Sequence, residues 1–180
     1  MIITLREILD FFLMSLIVGY IFSDIFRKDF KRVIDLRAIL IAASITVPAI
    51  ALHELAHKFT AIAFNLQATF HAAYPWLMIG VVLKALNAGF IFFVPAYVSI
   101  TGTSTPLTQS IVAVSGPLMN LLLFLVSLVV LKLNILKNKN HIFIAVVSKK
   151  INGFLFVLNI LPIPGFDGFH FFSGIIKTFF

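Results

Sequence analysis

Two histidines stand four residues apart, with an acid beside the first, in the run His53-Glu54-Leu55-Ala56-His57. On an α-helix this spacing puts both imidazoles on one face about one turn apart, where they can hold a single metal ion. Glu54 lies about 100° round the helix from His53, close enough to take a proton from a water on that metal. This is the His-Glu-x-x-His arrangement, in which two histidines bind Zn²⁺ and the glutamate acts as general base. From this chain's own composition, a chance match is expected roughly twice in a thousand such sequences. The plainer reading makes the three residues a polar helix end, with the histidines bonded to neighbouring groups. It weakens because the surrounding segment is apolar. At membrane depth each ionisable group would need its own partner, and one Zn²⁺ satisfies all three together.

Two histidines leave a catalytic zinc short of a ligand, since such sites usually combine three protein ligands with one open position. The chain has no Cys, which also excludes disulfides and cysteine nucleophiles. Of its 7 acids, Glu7, Asp10, Asp24, Asp29 and Asp35 fall in the first 35 residues. Only Glu54 and Asp167 come later, and an acid in or near an apolar segment is a functional candidate by default. Asp167 is therefore one possible third ligand, although Asp-Gly is also a common turn dipeptide. His71, His141 and His170 compete with it, His170 most closely because it lies three residues further on.

The elements that must position these residues are apolar. Of 180 residues 61% are hydrophobic, 21 are Phe and only 12% are charged, about half the share usual for a soluble domain. Runs at 8–26, 39–64, 107–133 and 148–161 approach the ~20 residues needed to cross a bilayer. The expected fold is an all-α polytopic membrane protein, one domain over 1–180, with core helices at 39–64, 107–133 and 148–161 and an accessory helix at 8–26. The last core helix is started near Ser148 because Lys149 and Lys150 interrupt the longer apolar run, and Pro162 and Pro164 must end it. Between 65 and 106 the pattern breaks up. About 13 apolar residues at 74–86 suit a re-entrant or interfacial piece. The β-branched and aromatic run at 89–102 favours extended chain, restricted to a sheet edge by Pro95. The net charge of +7 sits between apolar segments, in the linker at 27–37 and among the lysines at 132–150, which points to lipid headgroups and not to nucleic acid. The first segment is polar at both ends and lacks a small-residue cleavage site, so it reads as a retained helix and not a signal peptide.

His53-Glu54-Leu55-Ala56-His57, taken with Asn159-Ile160-Leu161-Pro162-Ile163-Pro164-Gly165-Phe166-Asp167-Gly168, resembles the motif pair of the site-2 protease family of intramembrane zinc metalloproteases. Between them, Gly116-Pro117-Leu118-Met119-Asn120 is similar to that family's Gly-Pro-x-x-Asn element. The three motifs stand in the family's order and span about 39–172. The resemblance implies one Zn²⁺ per chain held by His53, His57 and Asp167, with Glu54 as general base. It further implies that Asn159, and less directly Asn120, contact substrate, and that 89–102 belongs to a β-rich membrane-associated insert on which an extended substrate can pair. Gly116 and Pro117 equally suit close helix packing and a kink. The chain departs from the pattern in having no room for PDZ or CBS modules, in Phe166 where many relatives have Leu, and in Lys149 and Lys150.

The function implied is hydrolysis of peptide bonds within or near transmembrane segments of other proteins, in a multi-pass protein of the cell membrane. Its partners would be a transmembrane protein substrate and membrane lipid. Two readings compete with it: a metal transporter or sensor that uses the same ligands without hydrolysis, and an inactive scaffold homologue.

Overall fold

The structure, a computed structural model, describes residues 3–27, 34–88 and 94–180. Along the chain run α1 (Leu5–Phe22, extended by a 3₁₀ turn at Ser23–Phe26), α2 (Leu36–Ala63), β1 (Gln67–Ala72), α3 (Tyr74–Ala85), β2 (Ala96–Thr101), α4 (Pro106–Lys132), α5 (Lys139–Asn159) and α6 (Asp167–Phe179). Four stretches are long and apolar enough to cross a membrane by length and composition: Leu5–Phe26, Leu36–Ala63, Pro106–Lys132 and Lys139–Asn159.

These boundaries differ from the expected ones in two places. α5 begins at Lys139, nine residues before Ser148. Lys149 and Lys150 change the local polarity without breaking the helix, because lysine is a good helix former. The 74–86 run forms a single three-turn helix, α3, with Pro75 in its first turn. The insert does contain sheet, but β1 lies ahead of α3, where no strand was expected. Within the expected extended run at 89–102, residues 89–93 lie outside the described residues, as do 28–33 of the basic linker.

The chain forms two compact units. One comprises Met1–Ala51 with Thr69–Ser99, the other Leu52–Ala68 with Ile100–Phe180. In the first, Met14, Val18, Val47, Ala51, Phe70, Ala72, Leu77 and Ala96 form the buried core. α1 and α2 approach closely at Gly19, where an added Cβ would come within 2.9 Å of both the Ala43 Cβ and the Ile39 carbonyl. Small residues at a crossing let apolar helices gain dispersion contacts that lipid alone would not provide.

The early acids have structural roles in this unit. A capping box starts α1: the Thr4 hydroxyl accepts from the Glu7 N–H, and the Glu7 carboxylate accepts from the Thr4 N–H at 2.7 Å. The other Glu7 oxygen accepts from the Phe70 N–H at 2.7 Å, and Asp10 accepts from the Ala72 N–H at 3.3 Å and the Tyr74 hydroxyl at 2.6 Å. Phe70 and Ala72 are two apart on β1, so their amides point the same way, and α1 covers that edge of the two-stranded sheet with carboxylates. The single charge in α3 is treated similarly. Lys84 is buried, donates to the Tyr20 carbonyl and to the Ser23 hydroxyl at 2.6 Å, and lies 4.1 Å from the Tyr20 ring centre. Burial pushes its ammonium below the ordinary lysine range, against the pull of Asp24.

In the second unit α4 packs against both α5 and α6. The Ser110 hydroxyl on α4 donates to the Phe171 carbonyl at 2.8 Å, fixing α6 along α4. The outer face of α4 is apolar and exposed at Leu118, Leu122, Leu125, Val126 and Val129, a stripe at helical spacing that water would not tolerate.

Replacing Asp10 by Ala removes the acceptor for the Ala72 amide. Hydrogen exchange at that amide is expected to quicken by about tenfold or more, while amides in α4 exchange as before.

Candidate metal centre

All the groups of the centre belong to the second unit. The segment of α2 from Leu52 onward carries His53 and His57, both buried. As their four-residue spacing requires, the two rings sit side by side, centres 4.8 Å apart and edge to face. After α5 ends, Pro162, Pro164 and Gly165 form the connection to α6, with Gly165 at φ +96°. α6 then opens at Asp167 in its first turn, where the free N–H groups favour an anion.

The three side chains meet at a point. His53 Nε2 and His57 Nε2 are 3.1 Å apart, and Asp167 Oδ2 lies 3.0 Å from the first and 3.3 Å from the second. The other ring nitrogens face acceptors: His53 Nδ1 is 2.6 Å from Asn120 Oδ1, and His57 Nδ1 is 2.8 Å from the Val112 carbonyl oxygen. Each Nδ1 therefore carries the proton and donates, which leaves both Nε2 lone pairs directed at the carboxylate oxygen.

Three lone-pair atoms converging like this repel one another unless a cation lies among them. A tetrahedral zinc with bonds of about 2.0–2.1 Å sets its ligand atoms about 3.3 Å apart, close to the 3.0–3.3 Å edges of this triangle. Gly116 completes the fit. A Cβ at that position on α4 would overlap the Nε2 atoms of both histidines, so only glycine leaves the space open. Its role is thus close approach to the site histidines, more particular than helix packing in general.

Glu54 is half-buried on α2 and within electrostatic reach of His53, His57 and Asp167, as its place in the motif requires. The two asparagines fare differently. Asn120 is fully buried, with its amide engaged by His53 and Asn152, so it holds the His53 ring in place. Asn159 closes α5, half-buried; among the described residues no hydrogen bond joins its side chain to the centre. The rival histidines lie elsewhere. His71 sits in the first unit, 3.9 Å from Asp10; His141 is exposed on α5; and His170 is exposed against Phe169. Among the described residues, His53, His57 and Asp167 form the one cluster able to hold a metal.

Sequence reasoning missed three contributors: the Val112 carbonyl, Ser115 and Asn152. The Ser115 hydroxyl donates to the Val112 carbonyl at 2.7 Å and lies 3.4 Å from His57 Nδ1. Asn152 is buried at 1% exposure in an apolar helix, and a polar residue in such a segment was the available signal.

A protein of Methanocaldococcus jannaschii named "Putative zinc metalloprotease" is 32% identical to this chain over 165 residues, which cover 91% of this chain and 81% of the relative. This chain belongs to that protein's family. No family model matches the chain, and no solved structure matches it significantly.

Gly116→Ala is expected to abolish zinc binding, read by metal analysis of the purified protein. Alanine is the better helix former, so helical content by circular dichroism should not fall.

Proposed function

We propose that the chain is a zinc metalloendopeptidase of the site-2 protease type, which hydrolyses peptide bonds within or near transmembrane segments of other membrane proteins. The observation that carries the proposal is the convergence of His53, His57 and Asp167 beside Glu54, on a helix long and apolar enough to cross a bilayer. The name of the archaeal relative supports the metal and the class of reaction. The exposed apolar face of α4 supports a lipid surrounding.

Zinc, when bound, supplies a Lewis acid that polarises the scissile carbonyl and makes water more acidic. The chain's own residues do the rest. His53, His57 and Asp167 hold the ion, with the protons of both imidazoles fixed at Nδ1. Glu54 takes the proton from the attacking water and returns it to the leaving amine. Asn159, at the end of α5 and eight residues before Asp167, is the side chain for gripping the substrate backbone. The substrate must be extended at the bond cut, because a helical peptide carbonyl is already engaged and shielded. Among the described residues the sheet has two strands, and the outer edge of β1 has its Phe70 and Ala72 amides occupied by Glu7 and Asp10, so β2 is the edge proposed for pairing.

The test is Glu54→Gln, assayed with a single-span membrane protein substrate in detergent or liposomes. Zinc content should match wild type while cleavage falls by at least about a hundredfold. Undiminished cleavage with zinc in place would overturn the mechanism. Loss of the metal itself would favour a transporter or sensor, in which Glu54 is a ligand.

A further inference from the structure

The hydrogen bonds around His53 extend two helices away from the metal centre. Asn120 on α4 presents Oδ1 to His53 Nδ1 at 2.6 Å and donates from Nδ2 to Asn152 Oδ1 on α5 at 2.9 Å. Asn152 in turn donates from Nδ2 to the Ser148 carbonyl oxygen at 2.9 Å, and to the Ser148 hydroxyl at 3.2 Å. Asn120 and Asn152 are both at most 1% exposed, so water does not compete for either amide.

The direction of this chain is fixed at its far end. A backbone carbonyl can only accept, so Asn152 must turn its NH₂ towards Ser148 and its oxygen towards Asn120. Asn120 must then give its NH₂ to Asn152, which leaves its oxygen for His53. An oxygen at that position requires the His53 proton on Nδ1, and Nε2 is left with the lone pair that a metal needs. His57 obtains the same polarity in one step, from the Val112 carbonyl. Among the described residues His53 Nδ1 pairs with no backbone carbonyl, and it obtains the polarity through two amides.

We infer that Asn152 is a positioning residue of the metal centre, which sets the tautomer of His53 through the side-chain amide of Asn120. The inference rests on the proposed zinc site, but it concerns a hydrogen-bond polarity that exists before metal enters. Without Asn152, the Asn120 NH₂ loses the acceptor that directs it to α5, and the amide turned over presents NH₂ to His53 Nδ1. The proton then moves to Nε2 and blocks the ligand atom.

A packing role and a polarity role make opposite demands on substitutions. Asn152→Leu keeps the volume and suits an apolar helix, but it cannot accept from Asn120. Asn152→Asp keeps oxygen towards Asn120 and puts a carboxyl group in a buried place. Two measurements separate the roles: the ¹⁵N signals of His53 in the metal-free full-length protein, which report the tautomer, and zinc affinity by competition with a chelator. In Asn152→Leu, His53 is expected to shift towards the Nε2-protonated form, and zinc affinity to fall by about tenfold. Asn152→Asp is expected to keep the wild-type tautomer and affinity. When Asn120 is already Ala, adding Asn152→Leu should cost nothing more, because the relay is already cut. Wild-type tautomer and affinity in Asn152→Leu, or full losses that add in the double variant, would overturn the inference. If wild type bound no zinc while the tautomer still followed Asn152, the zinc reading would fail and the relay would stand. Should Asn152→Leu not fold, Asn152→Asp decides alone: a switched tautomer in that variant overturns the inference.

Discussion

Three electron-pair donors brought within about 3 Å of one another in a buried place are the constraint on which the rest of the second unit depends. Nothing in an apolar helix bundle calls for such a cluster. It repels itself unless a cation is shared, and water is largely excluded from relieving it. The surrounding structure can be understood as the means of holding these groups together. The spacing on α2 supplies two of them, and the Pro-Pro-Gly connection turns the chain so that α6 opens with the third. Gly116 leaves the room they need, and acceptors behind each ring point both free nitrogens inward.

The two units use their acids differently. In the first, Glu7 and Asp10 satisfy backbone amides at a sheet edge, and their charge is absorbed by hydrogen bonds. In the second, Asp167 faces two imidazole nitrogens that offer lone pairs, which is a reason to bind a metal and not to complete a fold. The same residue type is structural in one place and a ligand candidate in the other because of what faces it.

How much of this was legible in the sequence depended on how local each feature is. His53, Glu54 and His57 could be read because helical geometry fixes their relation within five residues. The long apolar helices were legible for the same reason, each being a property of one continuous segment. Asp167 could not be singled out over His170 by spacing, since its approach to the histidines spans 114 positions and is decided by a turn. The resemblance to a family was needed to choose it. β1 was missed because Gln67–Ala72 is short and its edge is satisfied by acids sixty residues away. Asn152 was missed because its partner lies on another helix. α5 begins nine residues ahead of the expected start because the two lysines interrupt the apolar run but not the backbone hydrogen bonding, which lysine tolerates.

The most direct measurement is zinc stoichiometry in wild type beside Asp167→Ala, both purified in detergent and freed of loosely held metal. Expected is one zinc bound per chain by wild type and far less by the variant, since the triangle of donors loses its only charged member. Equal zinc in both, or none in wild type, would contradict a metal centre built from His53, His57 and Asp167.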